Sequence, residues 1–376
     1  MTKNPFKFGE IVGEENFCNR TKEIARLKQA FTDSQNVILI SPRRWGKSSL
    51  VDESIARYKG KLLVAAVDCF GITSSEQFLE VYLKSVLKSE SKLSNMAKTT
   101  KEFLQNIAPY ISFSVGDTEG VKIGLSLPKG KFDPTEILNL PQRLADARGI
   151  PFLVCVDEFQ KIQEWLEGAK FLEKLRSVWQ KHQGVSYCLY GSKRHLMSGI
   201  FNDSSKPFFR FGDTLFLEKI ATEHWVKFLV EKFLDSDKKI TETIAKQLVE
   251  KVNAHSYYVQ YLSRLCWSNA EKEVTESTVN ESFEQLLADM LNLFRAQTEN
   301  LTKYQANYLI AFVSGERKMS SSRVINHYQL GSPGNIKRIE KSLQDSEIMD
   351  FFTGTPELTE PYFEPLFRKY FMNNAQ

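Results

Sequence analysis

The stretch ILISPRRWGKSSL, Ile38 to Leu50, decides how the rest of the 376-residue chain is read. An apolar run, Val37 to Ile40, gives way to a turn-forming Pro42 and then to Gly46-Lys47-Ser48-Ser49, after which Leu50 to Tyr58 has helical character. Strand, tight loop, helix is the context in which G-x-x-x-x-G-K-[ST] works as a phosphate cradle. Backbone N–H groups wrap the phosphates, the lysine reaches the β- and γ-oxygens, and the following hydroxyl takes Mg²⁺. Gly46 lets the backbone approach closely at a helix start, whose dipole favours anions. Ser41 stands where that pattern has its first glycine. The competing reading is an ordinary helix start capped by Ser48 or Ser49.

Outward from this loop, the next strong signal is PFLVCVDEFQ. Its apolar run Phe152 to Val156 ends in Asp157-Glu158, which places two carboxylates at the carboxyl edge of a sheet, where open α/β folds bind ligands. Asp157 is expected to serve the metal already touched by Ser48, and Glu158 to polarise an attacking water. Adjacent residues leaving a strand are expected to point in opposite directions, which would separate the two roles. SYCLYGS, Ser186 to Ser192, is a further strand, and Ser192 reads either as a γ-phosphate sensor or as a turn residue. Arg210, set among aromatics in Pro207 to Asp213, reads either as an arginine finger or as a cation stacked on its neighbours.

Between these motifs the strand–helix rhythm of a parallel sheet is carried by a second buried strand, Leu62 to Cys69, a helix from about Ser74 to Leu87 and another from Pro134 to Ala147. The rhythm breaks from Ser89 to Pro134, where two alternating runs flank Gly116 to Gly120, a β-hairpin insertion of about 108–130 that either decorates the core or serves a partner. Ahead of the phosphate loop an amphipathic helix spans roughly Arg20 to Phe31. The phrase Phe17-Cys18-Asn19-Arg20 before it is either a nucleotide-edge contact or a cap with Asn19 at the helix start.

From Thr222 to Asn300 the pattern is helical throughout, as a lid or bundle. His255 there reads as structural, with no metal partner in sight. The last segment gives helices, a turn at Gly331 to Gly334, a basic helix Asn335 to Gln344 and a hairpin about Gly354, the order of a winged helix-turn-helix. Lys337, Arg338 and Lys341, with Arg323 and His327 nearby, suit either DNA or protein contact.

Composition bounds the answer. With 42% apolar and 12% aromatic residues the chain can build two or three cores, and 50 basic against 46 acidic residues, net +4, does not by itself announce nucleic acid. Five scattered cysteines (18, 69, 155, 188, 266) lack disulfide or zinc spacing, so buried free thiols are expected. The N-terminal residues show no apolar signal region and no stretch is long and apolar enough to span a membrane, so a reducing, cytoplasmic setting is expected.

With these residues in place the chain resembles the archaeal-type P-loop ATPases, a branch of the AAA+ and STAND ATPases. Phe17 to Arg20 with Glu23 and Leu27 is similar to that family's initial phrase. Ser41-Pro42-Arg43-Arg44-Trp45-Gly46-Lys47-Ser48-Ser49-Leu50 is similar to its G-P-R-R-x-G-K-[ST]-S-L. Asp157 to Gln160 resembles its D-E-[FW]-Q, and Gly191-Ser192 the end of its sensor strand. Asn253 to Gln260 resembles its lid phrase G-G-H-P-Y-Y-x-Q, with both glycines and the proline replaced. The resemblance implies an α/β P-loop NTPase core of the AAA+ kind over residues 1–217, a helical lid over 218–300 and a C-terminal winged helix over 301–376. It implies binding of ATP with Mg²⁺, a site made of Phe17, Arg20, Ser41 to Ser49, Asp157, Glu158 and Ser192, and slow or stimulated hydrolysis in a switch or motor. Homo-oligomers through Arg210 are expected, with DNA or a protein on the winged helix and no membrane. The alternative is a DNA-associated nucleotide-binding regulator that hydrolyses little. A small-molecule kinase is disfavoured because no acceptor pocket is visible.

Overall fold

A computed structural model describes residues 3–91, 111–115, 121–125 and 133–372. The chain divides into two compact units, Arg20–Glu218 and the combination of Met1–Asn19 with Lys219–Gln376. Each has its own apolar core.

The first unit is built on a five-stranded sheet of β1 (Val37–Ile40), β2 (Leu63–Asp68), β5 (Phe152–Asp157), β6 (Val185–Gly191) and β7 (Asp213–Phe216), in the spatial order β2-β5-β6-β1-β7 with every pair parallel. The central strands β1, β5 and β6 are near-continuous apolar runs because helices cover both of their faces. One face carries Val154, Val156, Tyr187 and Leu189, which share a buried core with α3 (Ser75–Ser91), α5 (Leu140–Arg148), α6 (Gly168–Trp179) and α7 (Arg194–Phe201). β2 corrects the expectation of a second fully buried strand. It lies at the sheet edge, with Ala66 and Asp68 exposed, and the edge-facing N–H of Ala66 is taken up by the Ser85 hydroxyl at 2.7 Å. An unpaired strand edge invites pairing with other chains, and a side chain from α3 closes part of it.

α1 (Thr21–Thr32) buries Ile24, Leu27 and Phe31 and is clipped to β7 by the Arg26 guanidinium, which meets both carboxylate oxygens of Asp213 at 2.6 and 2.8 Å. Asn19 does not cap it. The residue ahead of the helix is Arg20, in left-handed backbone and with no side-chain capping bond. The single expected helix 134–147 is two pieces, α4 (Thr135–Leu138) and α5, broken at Asn139, whose side chain meets His182 at 2.9 Å. β3 (Ile111–Val115) and β4 (Val121–Leu125) pair antiparallel, as the two arms of a hairpin; the expected turn at Gly116 to Gly120 lies outside the described residues.

In the second unit α8 (Thr222–Asp235), α9 (Glu242–Lys251), α10 (Ser256–Asn269) and α11 (Glu276–Thr298) form a helical array, with a short parallel pair of β8 (Lys239–Ile240) and β9 (Glu273–Val274). The N-terminal residues join it: Phe6 is fully buried against Phe233 with ring centroids 4.8 Å apart, and Phe8 stacks on Tyr261 at 4.2 Å. α12 (Lys303–Val313), α13 (Ser322–His327) and α14 (Pro333–Asp345) precede an antiparallel pair, β10 (Met349–Asp350) and β11 (Glu357–Leu358), the three helices and wing of a winged helix. α15 (Phe363–Phe367) closes the same core through Phe363 against Phe294 at 5.2 Å. All five cysteines are buried and none is in a disulfide. No helix among the described residues is long and apolar enough to cross a membrane.

The lid phrase shows why glycines suit it. Asn253 and Ala254, after α9, hold φ of 51° and 52°, the left-handed region that costs an L-residue with a Cβ roughly 1–2 kcal/mol. Asn tolerates that region better than most residues, and Ala254 carries the larger strain. Replacing Ala254 by Gly relieves it, partly offset by the greater freedom glycine has in the unfolded chain. Ala254→Gly is expected to raise stability by roughly 0.5–1 kcal/mol and the melting temperature by about 1–4 °C. Ala254→Val should lower both, as read by scanning calorimetry.

Candidate functional site

Because β6 lies between β1 and β5, the loop after β1 and the carboxylates after β5 flank the end of β6 at the same carboxyl edge. The loop turns through left-handed backbone at Arg44 (φ 62°) and Gly46 (φ 89°), and α2 (Lys47–Ala56) starts at once. Ser41 is absent from the left-handed positions, so its backbone places no demand for glycine there. Its hydroxyl instead donates to the Pro42 carbonyl at 2.9 Å. Neither Ser48 nor Ser49 caps α2, whose first N–H groups have no side-chain acceptor at Gly46. That removes the capping reading and leaves the helix start with the donor geometry of an anion site.

Lys47 reaches across the end of β6, with its ammonium 5.8 Å from the Tyr190 ring centre. It ends 2.9 Å from Asp157 Oδ1 and 2.9 Å from Glu158 Oε1. The Ser48 hydroxyl donates to Asp157 Oδ2 at 2.8 Å. Glu158 Oε2 accepts from the Ser192 hydroxyl at 2.8 Å, from the Ser192 backbone N–H at 3.4 Å and from the Gln160 amide. Lys47, Ser48, Asp157, Glu158 and Ser192, from three different strand ends, therefore form one hydrogen-bonded cluster.

The expectation that Asp157 and Glu158 diverge is overturned, since both carboxylates converge on the same ammonium. The cause is the backbone of Glu158, at φ 49° and ψ 41°. This left-handed residue breaks the alternation of the strand and swings its side chain back over the sheet edge.

Charge pairing dominates the electrostatics. Burial pulls the Lys47 ammonium down, but the fields of Asp157 and Glu158 outweigh it and hold the lysine above its ordinary value. Burial pushes the Glu158 carboxyl up, and Lys47, then Gln160 and Ser192, more than reverse this, so that it lies below the ordinary range. Asp52, one turn beyond Ser48 on α2, is raised by burial and by Asp157.

The other expected site residues are placed as follows. Pro42 is half-buried and Arg43 and Arg44 are exposed on the loop, whereas Trp45 and Ser49 are buried. Trp45 lies under the Arg194 guanidinium, 5.9 Å from its ring centre. Arg20 is buried, with its guanidinium 2.9 Å from Glu23. Phe17 belongs to the second unit. Arg210 is exposed, in left-handed backbone, with its guanidinium 5.1 Å from the Phe209 ring centre. It precedes β7, whose Asp213 pairs with Val37 at the start of β1, so it stands at the amino edge of the sheet, opposite the Lys47 cluster.

Two members escaped the sequence reading. Tyr190 was legible in principle, since period two places it on the same strand face as Ser192. Gln160 lay inside the quoted D-E-F-Q, but nothing in the pattern shows a 3₁₀ turn (Phe159–Glu164) folding it back beside Glu158.

Oxygen donors are what Mg²⁺ prefers, and Ser48 and Asp157 offer a hydroxyl and a carboxylate already in contact. Among the described residues no group of three or more His, Cys, Asp or Glu gathers as a metal cage.

Among solved structures, the Walker-type ATPase of Pyrococcus abyssi superposes with a TM-score of 0.68 at 17% identity, over 94% of this chain and 97% of that one. The ORC2 protein of Aeropyrum pernix, in its ADPNP–ADP complexes, gives 0.60 at 13% identity over 98% of both chains. Its ADP form gives 0.54 at 12% identity over 95% of both. No family model and no curated protein matches the chain. At these identities the likeness is one of fold, and the chain has a P-loop NTPase fold of the AAA+ kind over nearly its whole length.

The ion pair sets a pH dependence. Glu158 has its carboxyl depressed, so its contribution to stability is present above the unfolded value near 4.5 and is lost as pH falls below it. Lys47 is raised, so its contribution is present below 10.5 and is lost as pH rises beyond. Lys47→Met leaves a buried carboxylate with no cation beside it, and burial then pushes Glu158 up. This variant is expected to be less stable than wild type near pH 8 by about 1.5–3 kcal/mol, with the deficit shrinking as pH is lowered toward 5. Denaturant titrations across pH 5–9 check it, and a pH-independent deficit would count against the pairing.

Proposed function

We propose that the chain is a Mg²⁺-dependent ATPase acting as a molecular switch or motor. The single observation that carries this reading is the Lys47 ammonium held by Asp157 and Glu158 at the start of a helix whose next residue, Ser48, touches Asp157. ATP would enter with its phosphates against the N–H groups of the loop and of α2, and Lys47 would leave the two carboxylates for phosphate oxygens. Ser48 and Asp157 would hold Mg²⁺, which supplies charge neutralisation at the phosphates. Freed of Lys47, Glu158 would take a proton from the attacking water, and Ser192, bonded to Glu158, would sense the γ-phosphate. The resting ion pair keeps the acid ionised and the lysine charged before nucleotide arrives.

Lys47→Ala is expected to weaken ATP binding by roughly 10- to 150-fold, the loss of a charged hydrogen bond. Glu158→Gln should retain ATP and lose turnover. Calorimetry and phosphate release decide: equal affinity in the first variant, or normal turnover in the second, would sink the assignment. The same assay run with duplex DNA addresses the second reading, a DNA-associated regulator. What supports that reading is the exposure of Lys337, Arg338 and Lys341 along α14; Arg323, by contrast, is engaged with Glu316 at 2.6 Å. Low basal turnover, with DNA binding lost in Lys337→Glu with Lys341→Glu, would favour it.

Arg210 cannot serve the Lys47 cluster of its own chain from the opposite edge of the sheet, so its catalytic reading requires a neighbouring copy. Specific activity should then rise with protein concentration, and Arg210→Ala should abolish that rise, an arginine finger being worth about 10³–10⁵ in rate. Concentration-independent turnover, with only a lower melting temperature in the variant, would leave Arg210 as a residue that stacks on Phe209.

A further inference from the structure

Glu158 presents two unequal oxygens. Three donors crowd Oε2: the Gln160 amide, the Ser192 hydroxyl and the Ser192 N–H. Oε1 meets Lys47. An oxygen that already accepts three hydrogen bonds has its charge stabilised where it stands and is a poor proton acceptor. Gln160 has no exposure to solvent, and its own amide oxygen finds no hydrogen-bond donor. That oxygen packs against the backbone of Gly191, where a Cβ would come within 1.9 Å of it. A reversed amide would set oxygen against the Glu158 carboxylate, so the side chain can only donate to it. A buried, unsatisfied acceptor is costly, and so is the left-handed backbone of Glu158; such costs concentrate where the surrounding structure holds a side chain in a required pose.

We infer that Gln160 is a positioning residue for hydrolysis: with Ser192 it pins Glu158 by Oε2, which makes Oε1, vacated by Lys47, the oxygen that takes the proton. This rests on the ATPase reading above. The water O–H bond breaks with its proton passing to Oε1. The water's electron pair forms the new bond to the γ-phosphorus, and the bond from that phosphorus to the bridging oxygen breaks, its pair leaving with ADP. Gly191 enters the same device, because only a residue without a Cβ leaves room for the Gln160 amide.

The test is steady-state ATP turnover by Gln160→Met, which keeps the length of the side chain and removes the donor. With one of its three donors gone Glu158 loses its fixed pose, so kcat should fall about tenfold while KM for ATP stays within about twofold and the melting temperature stays close to wild type. Gly191→Ala, which pushes the amide away without altering it, should reproduce that split and serves if Gln160→Met does not fold. An unchanged kcat, or a loss of turnover that tracks a lower melting temperature, overturns the role of Gln160. Glu158→Gln separates the two levels. If it is inactive while Gln160→Met turns over as wild type does, only the positioning role is lost; if it hydrolyses ATP normally, the base assignment falls and the inference with it.

Discussion

The bridge from Lys47 to Asp157 and Glu158 is the constraint on which the first unit depends. It joins a loop after β1 to the end of β5 across the intervening strand β6, so three strand ends must finish in register for one ammonium to satisfy two carboxylates. All three charges are largely buried. Removing charges from water is expensive unless they are paired and further hydrogen-bonded, and here Ser48, Ser192 and Gln160 supply the additional bonds. The arrangement is also ready to change partners. An anion of higher charge than either carboxylate, arriving at the helix start, competes for the same lysine.

Much of this was legible in the residues. The apolar runs before Ser41 and Asp157 specify buried parallel strands, and their shared carboxyl edge follows from that topology. The Gly46-Lys47-Ser48 spacing specifies a loop that turns directly into a helix. What the sequence pattern could not supply were features decided by tertiary geometry. Strand alternation places Asp157 and Glu158 on opposite sides, and a single left-handed residue reverses that outcome. Nothing in a one-dimensional pattern marks a Glu for positive φ, because Asn, Asp and Gly are the usual occupants. Leu62 to Cys69 reads as buried by composition, yet β2 is an edge strand, and the number of neighbours a strand has is a property of the sheet. Gln160 and Gly191 belong to motifs some thirty residues apart, and only the folded chain sets an amide against a missing side chain.

Backbone strain marks the places where packing overrides local preference. Glu158, Arg210, Asn253 and Ala254 all carry positive φ without being glycine. Glu158 lies in the Lys47 cluster and Arg210 at the opposite edge of the same sheet, and the other two lie in the phrase Asn253 to Gln260, at the turn into α10. At Asn253 and Ala254 the surrounding helices, and not the intrinsic preference of the residues, hold that turn.

The division of the chain bears on how it is made. Phe6, fully buried beside Phe233, belongs to a unit whose remaining residues begin only at Lys219, with the whole of the sheet-bearing unit intervening. At ribosomal rates of about 5–20 residues per second, the stretch bearing Phe6 and Phe8 leaves the exit tunnel roughly ten to forty seconds before α8 does. During that interval the Arg20–Glu218 unit can complete its core from contiguous residues, while two phenylalanines wait in water without their partners. The newborn chain thus displays a short aromatic segment until α8 emerges, and the second unit closes only after a loop of some two hundred residues has been drawn shut.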